Sequence, residues 1–333
     1  MDPLSQAVFG TAASSSFSKK TNFKLAFICG LIGGTAADLD VFIKSNTDPL
    51  LGLEFHRHFT HSLFFVPFGA LLVAAFIYLF RRKNFKEIYF FSAIAYATHG
   101  LLDSATSYGT LWLWPFYNER IAFDIIAIID PFFTLPILIL LLIALFKKSQ
   151  NYALLAFCWS LFYLNLGFIQ HARVRTEIMA HAEKQQHKIE KIKLNPTIGN
   201  LWLWRAVYLS DDTYHINAFY RPFIGAAKLY PGKTVQKINY ASLVEKWPED
   251  SILRHDLERF KHFSQDFIYY YPGAENLIAD LRYSLLPNGN ESLWGVEFDP
   301  NKPEQHVNYR FLRNFDNERI SKFKLMLLGR DLE

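Results

Sequence analysis

The chain has 333 residues, 51% of them hydrophobic and 17% aromatic, and its formal net charge is only +4. A mean hydropathy of +0.06 is high for a wholly soluble protein and low for a wholly embedded one, so two unlike parts are joined. Without a Lys/Arg-rich block the small charge argues against a nucleic-acid partner; Cys29 and Cys158, each inside an apolar run, argue against a disulfide framework or a cysteine metal site.

The chain opens with MDPLSQAVFGTAASSSFSKK, an acid at the head and lysines at the tail, the reverse of a cleaved secretory signal, so it reads as retained. Asp2 before Pro3 predicts the start of a short first helix over 3–18. Apolar stretches long enough to cross a hydrocarbon core follow near 23–43, 59–80, 88–108, 125–146 and 152–171. Basic residues flank them in three groups: Lys19, Lys20 and Lys24; Arg81, Arg82, Lys83 and Lys86; Lys147 and Lys148. Read as cytoplasmic junctions, these groups alternate with the spans. The expectation is an α-helical membrane bundle of about six helices, N-terminus outside, whose last helix delivers the remainder outside as well.

From His171 the character changes. HARVRTEIMAHAEKQQHKIEKIKLNP predicts a charged helical linker over 171–195, halted by Asn195 and Pro196. NLWLWRAVYLSDDTYHINAFY alternates and turns at Ser210, Asp211 and Asp212, which predicts a β-hairpin. DFIYYYP, LIADLRYSLL, LWGVEFD, VNYRFL and FKLMLL are further strand candidates. The expected domains are 1–170, membrane-embedded; 171–195, the linker; and 196–333, a small soluble β-rich α+β domain.

In this orientation the polar residues of the helical part converge on the outer side. Asp38 and Asp40 end the second helix, His56, Arg57, His58 and His61 stand at the mouth of the third, His99 and Asp103 share the outer half of the fourth, and Asp124 and Asp130 begin the fifth. Gln6 joins from the first. Charged groups at membrane depth cost several kcal/mol unless paired, hydrated or metal-bound, so the clustering asks for a function. His99 and Asp103 are spaced i, i+4 and share a helix face. Together with His61 and one aspartate of the 38/40 pair they form a candidate ligand set, and His56 can join from the preceding loop. Asp38 and Asp40 diverge by about 200° on an ideal helix, so unless the helix end unwinds one is expected to ligate while the other orients a histidine. Imidazole with carboxylate suits zinc and also tolerates manganese or iron.

Blander readings stand beside these. His58 can simply face water, and Asp130 before Pro131 can be a helix cap. Arg120 and Asp124 can form an i, i+4 ion pair, or Arg120 can hold a substrate phosphate or carboxylate. Gly30, Gly33, Gly34 and Ala37 form a small-residue strip suited to close helix packing. The remaining histidines, at 171, 181, 187, 215, 255, 262 and 306, show no paired ligand pattern and are assigned to the soluble surface.

The ordered pieces MDPLSQAVFG, GGTAADLD, HRHFTHS, HGLLDSATSYGT and WPFYNERIAFDIIAIIDPFFTLP resemble the YdjM-like family of bacterial inner-membrane proteins, regarded as metal-dependent hydrolases. The resemblance covers roughly the first 150 residues, and LWRAVYLSDDTY is similar to the tail of longer members. It implies metal or motif positions at Asp40, His56, His61, His99 and Asp103, with Asp38 beside them. Where members commonly carry proline before the Asp-x-Asp element this chain has Ala37, and where they carry glycine after His-Arg it has His58. Some members are described as binding the repressor LexA, and a distant similarity to zinc phospholipase C and related nucleases points to phosphoesters.

The leading expectation is a membrane-embedded metal-dependent hydrolase opening to the extracytoplasmic face, its lipid or lipid-linked substrate arriving sideways from the bilayer. In it Asp38 or Asp124 serves as general base and Arg120 stabilises developing negative charge. The alternatives are a proton- or cation-coupled transporter using the same carboxylates and histidines, and a non-catalytic scaffold whose C-terminal domain captures a protein partner. Transport predicts polar residues through the full membrane depth, whereas LLVAAFIY and ILILLLIALF offer almost none.

Overall fold

The computed structural model describes residues 1–82, 84–313 and 316–332; Lys83, counted above among the inner-junction cations, lies outside the described residues. Two units are formed, one from Met1–Phe42, Phe55–Ile169 and Ile198–Leu201, the other from Ile43–Glu54, Gln170–Thr197 and Trp202–Glu333.

The first unit is helical. Asp2 accepts the backbone N–H of Ser5 and starts α1, Pro3–Ser16, and Phe23–Thr35 forms α2. At Ala36 the chain tightens into a 3-10 turn that runs to Phe42. The expected uniform helix over 23–43 is therefore unwound where Asp38 and Asp40 lie. Two short 3-10 turns, Phe59–His61 and Leu63–Phe65, precede the helix Val66–Arg81, and Phe85–Ala105 forms a further helix. Counting the short helix Leu51–Phe55 of the second unit as α3, these two are α4 and α5.

The expected span at 125–146 begins later. Asp130 accepts the N–H groups of Phe132 and Phe133 and Pro131 takes the first position, so α6 is Pro131–Lys147. Residues 107–130 form a non-helical connection stitched by the bridges Thr106↔Ile126 and Thr110↔Ile121. α7, Gln150–Lys184, is one continuous helix of 35 residues. Among the described residues, three segments are long and apolar enough to cross a membrane: Phe23–Phe42, Leu63–Arg81 and Gln150–Lys184. α5 has the length, at 21 residues, but its polar residues lower its hydropathy. Phe9, Phe133, Ile137 and Leu141 fill one core of this unit, and Ala70, Ala74, Ile88 and Phe91 another.

The second unit is rich in strands. The expected linker helix over 171–195 stops at Lys184; Lys191–Pro196 is strand β1 instead, paired with β2, Leu203–Ser210. The foreseen hairpin closes β2 against β3, Thr213–Tyr220, through Asp211 and Asp212 at φ 49 and 56, the left-handed pair of a two-residue hairpin turn. β4, Lys228–Gln236, completes an antiparallel sheet in the order β1-β2-β3-β4. After α8 (Tyr240–Val244) and α9 (Ile252–Phe263), strands β5 to β8 at Ile268–Tyr270, Leu277–Asp280, Trp294–Glu297 and Asn308–Phe311 form a second four-stranded sheet. FKLMLL, expected as a strand, belongs to helix α10, Asn317–Leu327. Val207, Tyr214 and Ile216 of the first sheet share a core with Tyr269 and Ala279 of the second. The polar end of α7 buries Val174, Ile178 and Ala182 against Trp204, Tyr208 and Phe219.

Candidate metal centre

Four elements of the helical unit bring their polar residues to one point. α5 supplies His99 and, one turn later, Asp103, both with no exposed surface. His99 Nδ1 donates to the carbonyl of Gly34 at 2.6 Å. That contact needs the end of α2 to lie tight against its neighbours: a Cβ on Gly34 would stand 2.7 Å from the Gln6 carbonyl oxygen of α1. Gln6 in turn donates from Nε2 to Asp103 Oδ1 at 2.9 Å. On the other side, the His61 carbonyl passes so close to Gly100 that no side chain fits there. Tyr96 fixes the same turn, donating from its hydroxyl to the Thr60 carbonyl at 2.9 Å.

The donors then meet. His61 Nε2 lies 3.5 Å from Asp38 Oδ1 and 3.2 Å from Asp103 Oδ2; His99 Nε2 lies 3.2 Å and 3.7 Å from the same two oxygens. A tetrahedral ion with bonds of about 2.1 Å spaces its ligands by roughly 3.4 Å. The two rings stand 4.6 Å apart at 77°, so their nitrogens converge without stacking. His61 Nε2, His99 Nε2 and Asp103 Oδ2 are buried and make no hydrogen bond of good geometry, a costly arrangement for polar atoms. Both Nδ1 atoms are engaged on the far side, His99 with Gly34 and His61 with Asp40 Oδ2 at 3.2 Å. With the outer nitrogen donating, either ring in its neutral form would turn its lone pair inward, the tautomer that a metal requires. Donor types, spacing and buried lone pairs fit a divalent ion.

The aspartates have divided their work in a way that spacing alone left open. Asp38, expected as a general base, faces the two Nε2 atoms; Asp40, expected as a ligand, lies on the Nδ1 side of His61 and groups with Asp38 and His56. It accepts from His56 Nδ1 at 2.8 Å, the Arg57 N–H at 2.9 Å and Thr60 Oγ1 at 2.8 Å. His56, expected as a ligand, is half-exposed and bonded to Asp40, and with Asp38 and Asp40 it forms a second group of donors that could hold an ion. Arg57 does not shape an open mouth. It is buried with its Nε 3.1 Å from Asp103 Oδ2, donates from a terminal nitrogen to Thr106 Oγ1 at 3.1 Å, and adopts φ 64. The Met1 nitrogen also contacts Asp103. Thr60, Thr106 and the buried role of Arg57 carried no sequence signal, since no spacing rule links them to the histidines.

Arg120 reaches the same corner by donating to the His56 carbonyl at 2.8 Å. It and Asp124 lie on the non-helical connection, Asp124 at φ 56, so the i, i+4 pairing considered for them does not apply. Asp124 is not among the clustered donors. Asp130 is the cap of α6 and accepts the Tyr163 hydroxyl at 2.8 Å. His58 turns to the chain itself, accepting the Phe59 N–H at 2.7 Å, with its ring against Phe55 and Trp114. In the second unit Asp48, Asp256 and His306 also approach one another, but Arg259 fills their centre. Its guanidinium bonds Asp48 and Asp256 at 3.0 Å and Glu54 at 2.8 Å.

Residues 1–174, the stretch that holds Asp38, His61, His99 and Asp103, match the family described as YdjM inner membrane protein. The chain belongs to the YdjM family. Membership agrees with the three membrane-length apolar segments: the protein is a membrane protein of the inner-membrane type. It is also similar to the uncharacterized protein YfhP of Bacillus subtilis (strain 168), with 26% identity over 197 residues. The chain spans 57% of that relative's length, and 57% of this chain is covered. No solved structure matches.

Proposed function

We propose that the protein is a membrane-bound metal-dependent hydrolase with a single-ion centre held by Asp38, His61, His99 and Asp103. The observation that carries this reading is the set of four edges, 3.2–3.7 Å, between two buried imidazole nitrogens and two carboxylate oxygens. A divalent ion there supplies a water acidified toward neutrality and a Lewis acid for the scissile group. Asp40 holds His61 in its ligating tautomer and fixes His56 at the half-exposed edge, where that imidazole is placed to accept and return a proton. Arg57 balances the charge of Asp103. Arg120, anchored on the His56 carbonyl, stands ready to stabilise negative charge on a reacting group.

In the same reading the helical unit crosses the bilayer six times with its N-terminus outside. Lys19, Lys20, Arg81, Arg82, Lys147 and Lys148 then mark the cytoplasmic ends, and the centre and the C-terminal unit face outward. Zinc is the first choice of ion, with manganese or iron accommodated by the same donors. A site opening to the outer leaflet suits a lipid or lipid-linked phosphoester. The test is metal analysis and turnover of a panel of phosphoester lipids with detergent-purified protein. Wild type should hold about one equivalent of metal and release product, and Asp103→Asn should lose both. Stoichiometric metal without turnover of any lipid would remove the hydrolase and leave the metal centre.

A further inference from the structure

The most exposed large apolar side chain among the described residues is Ile224, at 92%, in the loop Arg-Pro-Phe-Ile-Gly-Ala-Ala that joins β3 to β4. Phe223 beside it is 44% exposed. Single apolar residues on a surface are ordinary, but a loop tip facing water is usually built of polar turn residues. Here four consecutive residues, Phe223 to Ala226, are exposed and none is charged, while Arg221 and Lys228 stand at the two ends.

The place of the loop on α7 explains this composition. The apolar part of α7 ends in the exposed Phe168 and Ile169, and Gln170 opens the polar part that continues with His171, Arg173 and Arg175. Gln170 Nε2 donates to the Arg221 carbonyl at 2.7 Å. The Arg221 guanidinium lies 3.5 Å from Glu177 and donates back to the Gly225 carbonyl at 2.9 Å, so the loop is folded against the helix at its root. In the reading in which α7 crosses the bilayer, the base of the loop is therefore fixed one residue beyond the last apolar residues of the span. A loop of this length reaches on the order of 10 Å from its root, about the depth of the interfacial layer.

We propose that the β3–β4 loop is an interfacial membrane anchor: Phe223 and Ile224 insert into the lipid of the leaflet from which α7 emerges, and Arg221 and Lys228 lie at its headgroups. The anchor holds the first sheet on the bilayer surface. It rests on the membrane-crossing role of α7 and is independent of the metal centre, so its failure would leave the hydrolase reading untouched.

The test uses full-length protein in lipid nanodiscs, with Cys29 and Cys158 replaced by serine and one cysteine placed at Ile224 or, as a water-facing reference, at Asp250. Each is labelled with an environment-sensitive nitrobenzoxadiazole dye. The anchor predicts blue-shifted emission at position 224, lost intensity when lipids carrying a shallow doxyl quencher are included, and neither effect at position 250. Emission at 224 equal to that at 250 overturns the proposal. So does a blue shift that the doxyl lipids leave unquenched, since it would place the loop against protein, a second copy included. Ile224 is nearly fully exposed, so the substitution removes no core packing.

Discussion

At the scale of single residues the centre turns on two aspartates that differ only in what they face. Asp38 Oδ1 looks at the inward nitrogens of His61 and His99, while Asp40 holds the outward nitrogen of His61. Asp38→Asn should therefore abolish metal retention, whereas Asp40→Asn should weaken it by about 10–100-fold, the usual cost of removing a group that orients a ligand. His56→Gln should leave the metal in place. Metal content after dialysis against a graded chelator series checks all three, and equal losses at 38 and 40 would count against the assignment. His99 and Asp103 could be paired from their i, i+4 spacing because a helix fixes that relation locally. The choice between Asp38 and Asp40 could not be read this way, since the chain unwinds into a 3-10 turn at Ala36 and His61 enters from elsewhere.

At the scale of elements, the centre depends on how closely α1, α2 and α5 approach. Gly10 and Gly34 make the contact between α1 and α2: a Cβ on Gly10 would stand 2.7 Å from the Gly34 Cα, and one on Gly34 would stand 2.7 Å from the Gln6 carbonyl oxygen. Gly34→Val should cost about 1–3 kcal/mol through overpacking. It should also weaken metal binding, because it moves the carbonyl that fixes His99. Thermal unfolding in detergent together with metal content reads both. Composition pointed to the small-residue strip beforehand, and the hairpin at Asp211 and Asp212 was legible from its turn residues and alternation. The segment 125–130 was not. Its apolar residues suit a span, yet Asp130 and Pro131 start the helix later and the preceding stretch pairs with 106–110 instead.

At the scale of the whole molecule the chain divides into two unlike units, and α7 contributes to both: its first half is apolar and its second packs on a sheet. The second unit is held partly by Arg259, which ties α9 to the segment 43–54. Burial alone would raise the Asp48 carboxyl, but hydrogen bonds from Arg259 and the Leu50 N–H outweigh it and hold the group below the usual carboxylate range. The folded value being lower than the unfolded one, this contribution is present above about pH 4 and is lost as pH falls through the folded value. Arg259→Met should shift the acid-unfolding limb, followed by tryptophan fluorescence, to higher pH. Orientation is a separate prediction. Cysteines at Lys20 and Lys148 should react only with a reagent supplied from the cytoplasmic side, and one at Asp250 only from outside. Labelling of all three from one side would reject the six-span arrangement.

The sequence by itself determined the division into an apolar helical part and a β-rich part and the residue types that cluster, which follow from composition, periodicity and local spacing acting within a turn or a strand; the family came from the resemblance of its ordered motifs. Only the tertiary structure decided that Asp38 faces the Nε2 atoms of His61 and His99 while Asp40 faces the Nδ1 atoms of His56 and His61, that Arg57 is buried on Asp103, and that Arg259 fills the cluster at Asp48. Those outcomes depend on chain segments tens to hundreds of residues apart packing against one another, and no local rule specifies which side chain arrives first.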